Sequence, residues 1–212
     1  MKLLLLGATG RLGAHILEKL VRADHEVHTL VRDRSKVTIQ SPNLQVFEGD
    51  PTNIADLRKA LAGCDYVIGA LNISRTSDWP WAPLRTPKTL LSDTMRNLVS
   101  LAQEVGLKKI VISSAWGRDD IPKWFKWLIE NSNLRFTYED HEREESLLLN
   151  SSADWTIVRP TGLTNAQEKE VFVSRNNSPK PRPTISRTSV AHFMIEQLQS
   201  REYSKQVVTI FN

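Results

Sequence analysis

Cysteine is almost absent from the chain, and no apolar run in it is long. The single cysteine among the 212 residues is Cys64. One thiol forms neither an internal disulfide nor a cysteine-rich metal site, so we expect no metal and a reducing, cytoplasmic location. The apolar run 3–6 stops at Gly7, short of the ~7–15 residues of a signal-peptide core. Because no run approaches the ~18 residues that span a bilayer, we expect no membrane partner.

The net charge of the chain is also small. Lys and Arg number 28 and Asp and Glu 24, which gives a net charge of +4. That charge is modest for a dedicated nucleic-acid-binding protein, so no nucleic acid is expected as a partner. The 40% of hydrophobic residues, with 9 glycines and 10 prolines, excludes a disordered or collagen-like chain. At this length we expect one domain over residues 1–212.

Short apolar runs alternate along the chain with segments of helical period. The first run, 2–6, leads through a glycine turn into an amphipathic segment, and the alternation continues to a last strand at 207–211. Parallel strands need a helix to return the chain, so the sequence predicts a doubly wound (Rossmann) α/β domain with a mainly parallel sheet in the order 3-2-1-4-5-6-7. Two local predictions accompany this one. Thr52 is expected to cap a helix, and the acidic stretch 139–145 is expected to form a solvated helix face.

Two segments that follow strand ends, 72–86 and 161–183, do not fit the alternation, and a third segment, 115–128, follows the end of the fifth strand. In an open α/β sheet the ligand crevice lies beyond the carboxyl ends of the strands. We therefore expect these segments to form the walls of a site.

A glycine-rich turn follows the first strand and opens the first helix. Gly7 permits a tight turn, Gly10 lets the backbone approach a pyrophosphate, and Gly13 lets the helix pack close to the strand. The helix N-terminus then offers free N–H groups to phosphates. The turn residues predicted to bind the cofactor are Gly7, Thr9, Gly10, Arg11, Leu12 and Gly13. The alternative is a tight turn of the kind found in any α/β protein.

The end of the second strand bears on which nucleotide binds. Sites specific for NAD place an acidic side chain there, about 20 residues after the glycines, to hold the ribose hydroxyls. Here Val31 occupies that place, and Arg32 and Arg34 follow it. A guanidinium suits a phosphate, so the sequence favours NADP(H) over NAD(H). Asp33 is the counter-argument, with a turn or cap as its alternative role.

These motifs resemble those of the atypical short-chain dehydrogenases/reductases, specifically their NAD(P)H-binding, NmrA-like branch and its biliverdin reductase B/flavin reductase type. The matching pieces are the glycine turn 7–13, residues 30–32, 48–50, 112–115 and 140–141, and the run 154–160. The resemblance implies that Asp50 reaches the adenine amino group. The remaining cofactor contacts that it implies are Pro51, Ala70, Leu71, Ser113, Pro160, Thr161 and Gly162. A helix-initiating turn is the alternative role for residues 50–52.

The chain lacks the Tyr-x-x-x-Lys pair that the larger superfamily uses in proton transfer. His141 falls where the lysine after Tyr138 would stand, and Ser114 corresponds by resemblance to a serine beside the nicotinamide. A histidine that the flavin reductase type carries is replaced here by Thr161. The candidate catalytic residues are therefore Ser114, Tyr138 and His141, and the alternative for His141 is a locally bonded or exposed side chain.

Five of the six tryptophans follow the fourth and fifth strands. Aromatic walls suit a flat, conjugated ligand, so Trp79, Trp81 and Trp116 are predicted to contact the substrate. Core packing is the alternative for each tryptophan. Trp124 and Trp127, three residues apart, fit the buried stripe of a short helix.

These observations lead to three hypotheses of function. The first is an NADPH-dependent reductase that passes hydride to a planar conjugated acceptor of the flavin or quinone type. The second is a non-catalytic, NmrA-like protein that senses NADP(H) and binds a protein partner. A sugar epimerase is the third and weakest, because its chemistry normally needs the missing tyrosine and lysine.

Overall fold

The computed structural model describes residues 1–117, 121–175 and 177–212. Residues 118–120 and 176, which belong to two of the predicted wall segments, lie outside the described residues. The strands are β1 Lys2–Leu6, β2 Glu26–Val31, β3 Leu44–Glu48, β4 Tyr66–Gly69, β5 Lys109–Ser113, β6 Trp155–Pro160, β7 Gly162–Thr164, β8 Phe172–Ser174, β9 Thr184–Ser186 and β10 Gln206–Phe211. The helices are α1 Arg11–Arg22, α2 Ile54–Leu61, α3 Leu90–Ala102, α4 Lys123–Glu130, α5 Leu134–Leu149 and α6 Arg187–Glu196.

The main sheet confirms the predicted doubly wound fold. Its order is β3-β2-β1-β4-β5-β6-β10-β8, so β10 takes the place of the predicted seventh strand. The pairings from β3 to β10 are parallel, whereas β8 adds an antiparallel edge strand beside β10. A second sheet pairs β7 with β9. The sequence analysis did not predict β7, β8 or β9.

The first strand shows why the sheet is covered on both faces. Leu3 and Leu5 belong to one buried cluster, with residues of α1 and α6, and Leu4 and Leu6 belong to another, with residues of α2 and α3. Successive strand residues point to opposite faces, so a run of four leucines requires cover on both sides. Each fully buried leucine stabilises the fold by about 1.5–3 kcal/mol.

The N-terminus of α2 corrects one prediction. Asn53, not Thr52, caps the helix, and its side-chain oxygen accepts from the N–H groups of Ala55 and Asp56 at 2.9 and 3.3 Å. The Thr52 hydroxyl is already donated to Asp50, at 2.8 Å. The prediction for Thr52 was wrong because the turn before the helix uses that hydroxyl.

The acidic stretch of α5 corrects another prediction. Asp140, Glu144 and Glu145 are buried, together with His141, so residues 139–145 are not a solvated face. The reason is tertiary: α5 packs against α3, and Arg159 on β6 pairs with Glu145, with Nε to Oε1 at 2.9 Å. Burial of charged groups is tolerated where partners satisfy them.

The wall segment 115–128 contains the start of α4, and its tryptophans were also misread. Trp124 and Trp127 are 69% and 61% exposed, and the buried residue of this helix is Ile129. The interpretation of the two tryptophans as a buried stripe was therefore wrong. Within the described ranges, no helix is long and apolar enough to cross a membrane.

Candidate functional site

The glycine turn is shaped by close backbone approaches. Gly7 has φ +84°, and a Cβ there would lie 2.5 Å from the Ala70 carbonyl oxygen. A Cβ on Gly13 would lie 2.0 Å from the Gly7 oxygen, so helix and strand meet too closely for a side chain. At Gly10 the nearest atom would be 3.2 Å away, and no side chain caps α1. The free N–H groups of the first turn are thus available to an anion.

A cavity of about 520 Å³ runs from this turn along the carboxyl ends of the strands. It brings together twelve of the predicted site residues: Gly7, Thr9, Gly10, Arg11, Leu12, Arg32, Pro51, Ala70, Leu71, Ser113, Ser114 and His141. Its described lining does not include Gly13, Arg34, Asp50, Tyr138, Pro160, Thr161, Gly162, Trp79, Trp81 or Trp116. Parallel strands place their carboxyl ends at one edge, which explains why residues so distant in sequence meet here.

One end of the cavity carries Arg32. Its neighbour Asp33 is engaged elsewhere, because its carboxylate accepts from the Ser35 N–H at 3.0 Å and the Ser35 hydroxyl at 2.6 Å. These hydrogen bonds from Ser35 lower the pKa of Asp33. Arg34 lies in a separate groove with Val37. Arg32 is therefore the guanidinium after β2 that reaches the cavity.

Ser114 lies at the other end, just after β5. Its backbone N–H donates to the Val158 oxygen at 2.7 Å, which fixes the residue against β6. Ser114 lines the cavity, and its hydroxyl is buried without a hydrogen-bond partner in the described part of the chain. A buried hydroxyl without a partner carries a free-energy cost. A polar ligand group at this point would remove that cost, so the residues here fit a bound nucleotide.

His141 is both locally bonded and part of the cavity wall. Its Nδ1 lies 3.1 Å from Glu144 Oε2, one turn along α5. Burial raises the pKa of Glu144, as do the neighbouring Asp140 and Glu145, while the bond to His141 opposes the rise. His141 is thus held on α5 by a buried carboxyl group whose charged form is disfavoured by burial.

Asp140 fixes α5, and with it His141, against α3. Its carboxylate accepts from the Leu91 N–H at 2.7 Å and from the Ser92 hydroxyl at 2.6 Å. Thr89 stands at the N-cap of α3 without a side-chain cap bond. A carboxylate from another helix thus caps α3 at the end that faces the cavity.

Sequence reasoning missed a group of arginines in the cavity wall. They are Arg75, Arg85 and Arg187. Burial is the largest cause that lowers the pKa of Arg75 and of Arg187. Asp78 also lines the cavity and pairs with Arg11, with oxygen-to-nitrogen distances of 2.9 and 3.1 Å. Two of the missed arginines lie in the predicted wall segment 72–86, where a count of charged residues would have found them.

The wall segment 72–86 folds back on itself, with Arg75 bridged to Leu84. At its tip the rings of Trp79 and Trp81 lie 5.2 Å apart, and their side chains are 65% and 43% exposed. The Trp81 indole N–H donates to the Asn131 oxygen at 2.7 Å, which ties the tip to the end of α4. Neither ring is packed in the core, so core packing is not the role of these two tryptophans. Neither ring lines the cavity.

The chain is similar in sequence to a plant protein and in fold to several solved structures. An uncharacterized chloroplastic protein of Arabidopsis thaliana is 29% identical over 219 residues, which cover 99% of this chain and 76% of that protein. ChuY, an anaerobilin reductase of Escherichia coli O157:H7, has a TM-score of 0.79 at 19% identity, covering 100% of this chain and 97% of that one. A short-chain dehydrogenase/reductase of Veillonella parvula, solved with NADP, has a TM-score of 0.77 at 15% identity, covering 100% and 94%.

The structural likenesses show the fold, and the family follows from a separate match. The model of the NAD(P)H-binding family matches residues 7–201. That stretch begins at the glycine turn and includes the whole cavity lining. The chain belongs to the NAD(P)H-binding family.

Proposed function

We propose that the protein is an NADPH-dependent reductase that transfers hydride to a planar conjugated acceptor of the flavin or quinone type. The observation that carries the proposal is the single cavity that joins the glycine turn and Arg32 to Ser114 and His141. One end has the groups that bind phosphates, and the other has polar groups that can face a reacting ring. Two neighbours in fold point the same way, one an anaerobilin reductase by name and one solved with NADP.

The residues divide the work of binding between them. The free N–H groups at the start of α1, with Arg11, would hold the pyrophosphate. Arg32 would hold the 2′-phosphate, since Asp33 is occupied by Ser35 and does not compete for the ribose. NADPH over NADH is therefore the proposed preference. When bound, NADPH supplies the hydride.

Ser114 and His141 are the proposed polar groups at the acceptor end. The Ser114 hydroxyl would hydrogen-bond the nicotinamide or the acceptor, which satisfies a group otherwise buried without a partner. A flavin or quinone spreads the incoming charge over its rings and can take its proton from water. The chain has no Tyr-x-x-x-Lys pair to protonate a simple alkoxide, so such an acceptor fits these residues better than an unactivated ketone.

The Trp79 and Trp81 tip is the proposed outer wall of the acceptor site. Its two rings are exposed directly after Ser77 and Asp78, which line the cavity, and their faces can stack on a flat ligand. Tyr138 and Trp116 remain candidates for the same end. A reducing compartment such as the cytoplasm, which suits the single free Cys64, belongs to this proposal.

A regulator that senses NADP(H) is the second candidate. The observation that favours it is the set of four exposed tryptophans, which suits a protein partner as well as a small ligand: Trp79, Trp81, Trp124 and Trp127. The test is the absorbance of NADPH after addition of flavins and quinones. Its decrease supports the reductase. Binding of NADPH with no decrease for any acceptor supports the sensor instead.

A further inference from the structure

The cavity wall carries far more positive than negative charge. Its lining includes five arginines and one carboxylate: Arg11, Arg32, Arg75, Arg85 and Arg187 against Asp78. Arg11 pairs with Asp78 through two hydrogen bonds. An NADPH molecule would occupy Arg11 and Arg32 under the proposed function. Three arginines then remain in the wall, and the carboxylate that acts on Arg75 and Arg187 is Asp78, which Arg11 already pairs.

Arg187 has the features of a built anion site. It is 8% exposed, and its Nη1 donates to the Asn165 side-chain oxygen at 2.6 Å, but its Nε has no partner in the described part of the chain. It is the first residue of α6, where the helix N-terminus adds positive potential. Burial and repulsion by Arg11 lower its pKa, and Asp78 opposes them. A buried cation in such a place is costly unless an anion joins it.

Arg75, which also lines the cavity, shares two of these features with Arg187. Its Nε is buried without a partner within the described residues, and burial lowers its pKa. Arg85 is exposed at the same wall and donates to the Thr76 oxygen at 2.7 Å. Both unpartnered Nε groups belong to residues that line the cavity. The lining of one cavity therefore holds two cations, each with a donor that no described residue satisfies.

The topology separates this space from the 2′-phosphate end. Arg32 follows β2, two places from β4 in the sheet. Arg75 follows β4, and Arg187 follows β9, which pairs with the β7 extension of β6. The strands β4 to β6 lie on the side of β1 opposite to β2. In this fold a dinucleotide crosses the sheet at that point, so Arg75 and Arg187 belong to the half in which hydride leaves.

We propose that Arg75 and Arg187, with Arg85 at the rim, bind an anionic side group of the hydride acceptor, a carboxylate or a phosphate. This inference rests on the proposed function, because it takes the acceptor to enter this half of the cavity. The acceptor class is thereby narrowed to planar molecules that carry an anionic substituent. Neutral quinones and flavins without such a group are expected to bind weakly.

The experiment compares FMN with riboflavin, which share a ring system and differ by one phosphate. Each flavin is titrated into the protein saturated with NADP+, so that no reduction occurs, and its fluorescence reports binding. Wild type should bind FMN about ten- to a hundredfold more tightly than riboflavin, the range for a charged hydrogen bond. Arg187→Gln and Arg75→Gln should each remove most of that difference and leave riboflavin affinity unchanged.

Controls separate this role from others. Arg182→Gln, an exposed arginine that stacks on Phe172 outside the cavity, should keep the FMN preference. The affinity for NADP+ should stay within about twofold in Arg187→Gln, and its Tm should not fall, because a buried unpaired cation is removed. Loss of NADP+ affinity together with both flavins would assign the arginines to the cofactor's pyrophosphate and overturn the inference. Equal affinity of wild type for FMN and riboflavin, or no FMN binding, would overturn it as well.

Failure of the proposed function gives a different result. If NADPH is not consumed with FMN, yet FMN binds in a manner that depends on Arg75 and Arg187, the anion subsite stands and the reductase assignment fails. If NADPH is consumed while the arginine variants keep the full FMN preference, the reductase stands and the subsite is wrong.

Discussion

Arg32 is the side chain on which the proposed preference for NADPH rests. It lines the cavity, whereas Asp33 caps the 3-10 turn Arg34–Lys36 and Arg34 lies in another groove. A ribose hydroxyl would need an acceptor at this place, but a phosphate needs a donor. The donor in the cavity lining at this place is the guanidinium of Arg32.

Arg32→Ala should weaken NADPH binding by about 1.5–3 kcal/mol and leave NADH binding nearly unchanged, since it leaves the 2′-phosphate without its charged hydrogen bonds. Calorimetric titration with both cofactors measures the two affinities. Arg34→Ala is the matched control and should change neither by much. Equal affinities of wild type for NADPH and NADH would indicate that Asp33 leaves Ser35 and takes the ribose.

His141 is the other residue whose role is decided by its surroundings. Its Nδ1 faces buried Glu144, and the proposed acceptors do not need a positioned acid. His141→Asn should therefore cost less than about tenfold in turnover, against the roughly 10²–10⁴-fold that a general acid contributes. The turnover rate should be nearly independent of pH between about 6 and 8, where histidines ordinarily titrate. A hundredfold loss of turnover in His141→Asn, together with a wild-type rate that changes with pH in this range, would show that His141 is a general acid or base. Simple carbonyl compounds would then again be candidate substrates.

At the scale of elements, the glycine turn joins β1 to α1. Its backbone leaves no room for a side chain at Gly7 or Gly13, but it leaves room for one at Gly10. The Cβ of Gly13 would fall 2.0 Å from the Gly7 oxygen, but that of Gly10 would be 3.2 Å from it. A side chain on Gly13 could be accommodated only if the helix moved. A side chain on Gly10 would require its neighbour to shift by a few tenths of an ångström.

Gly10→Val should remove measurable NADPH binding and leave the fold largely intact, because its side chain occupies the approach of the pyrophosphate. Gly13→Ala is the contrasting variant and should lower Tm, since its methyl group meets backbone. Thermal unfolding and NADPH titration distinguish the two. A folded Gly10→Val protein with normal affinity would remove the turn from the cofactor site.

The α3–α5 contact depends on Asp140. Asp140→Ala leaves the Leu91 N–H and the Ser92 hydroxyl without their partner, and should cost about 1–3 kcal/mol of unfolding free energy in urea. Ser92→Ala removes only one of these bonds and should cost less. A loss for Asp140→Ala below about 0.5 kcal/mol would mean that the cap does not stabilise α3.

Sequence pattern predicts the elements that carry a regular apolar period. The bounds of β1 follow from its apolar run, the last strand lies within one residue of its predicted start, and the glycine turn follows from the motif. The buried face of α5 does not, since the partners of Asp140 lie on α3 and the partner of Glu145 lies on β6, and only Glu144 is bonded within its own helix, to His141. The three-residue strands β7, β8 and β9 are too short to show a period. The buried arginines of the cavity could not be predicted from the sequence either, because the burial of a cation depends on the tertiary structure.

At the scale of the whole molecule, the cavity and the aromatic tip share one segment of the chain. Ser77 and Asp78 line the cavity over the strand ends, and Trp79 and Trp81 follow them with exposed side chains. The tip is anchored to Asn131 and Asn133 near the start of α5. The tip is thus held by contacts that do not involve the glycine turn or Arg32.

Replacing both Trp79 and Trp81 with alanine should weaken binding of a planar acceptor and leave NADPH affinity unchanged. Ring stacking and the buried area of the rings are lost, while the glycine turn is untouched. Quenching of tryptophan fluorescence by the acceptor measures the first affinity, and NADPH titration measures the second. Trp124→Ala, on α4, is the control. An equal loss of both affinities would mark the tip as support for the fold.

The central claim is that one cavity holds NADPH with its reactive end at Ser114. A crystal structure of the protein with NADP+ tests this most directly. The account predicts the pyrophosphate at the N–H groups that begin α1, the 2′-phosphate on Arg32, and the nicotinamide within hydrogen-bond reach of the Ser114 hydroxyl. A nicotinamide far from Ser114, or a 2′-phosphate turned away from Arg32, would contradict it.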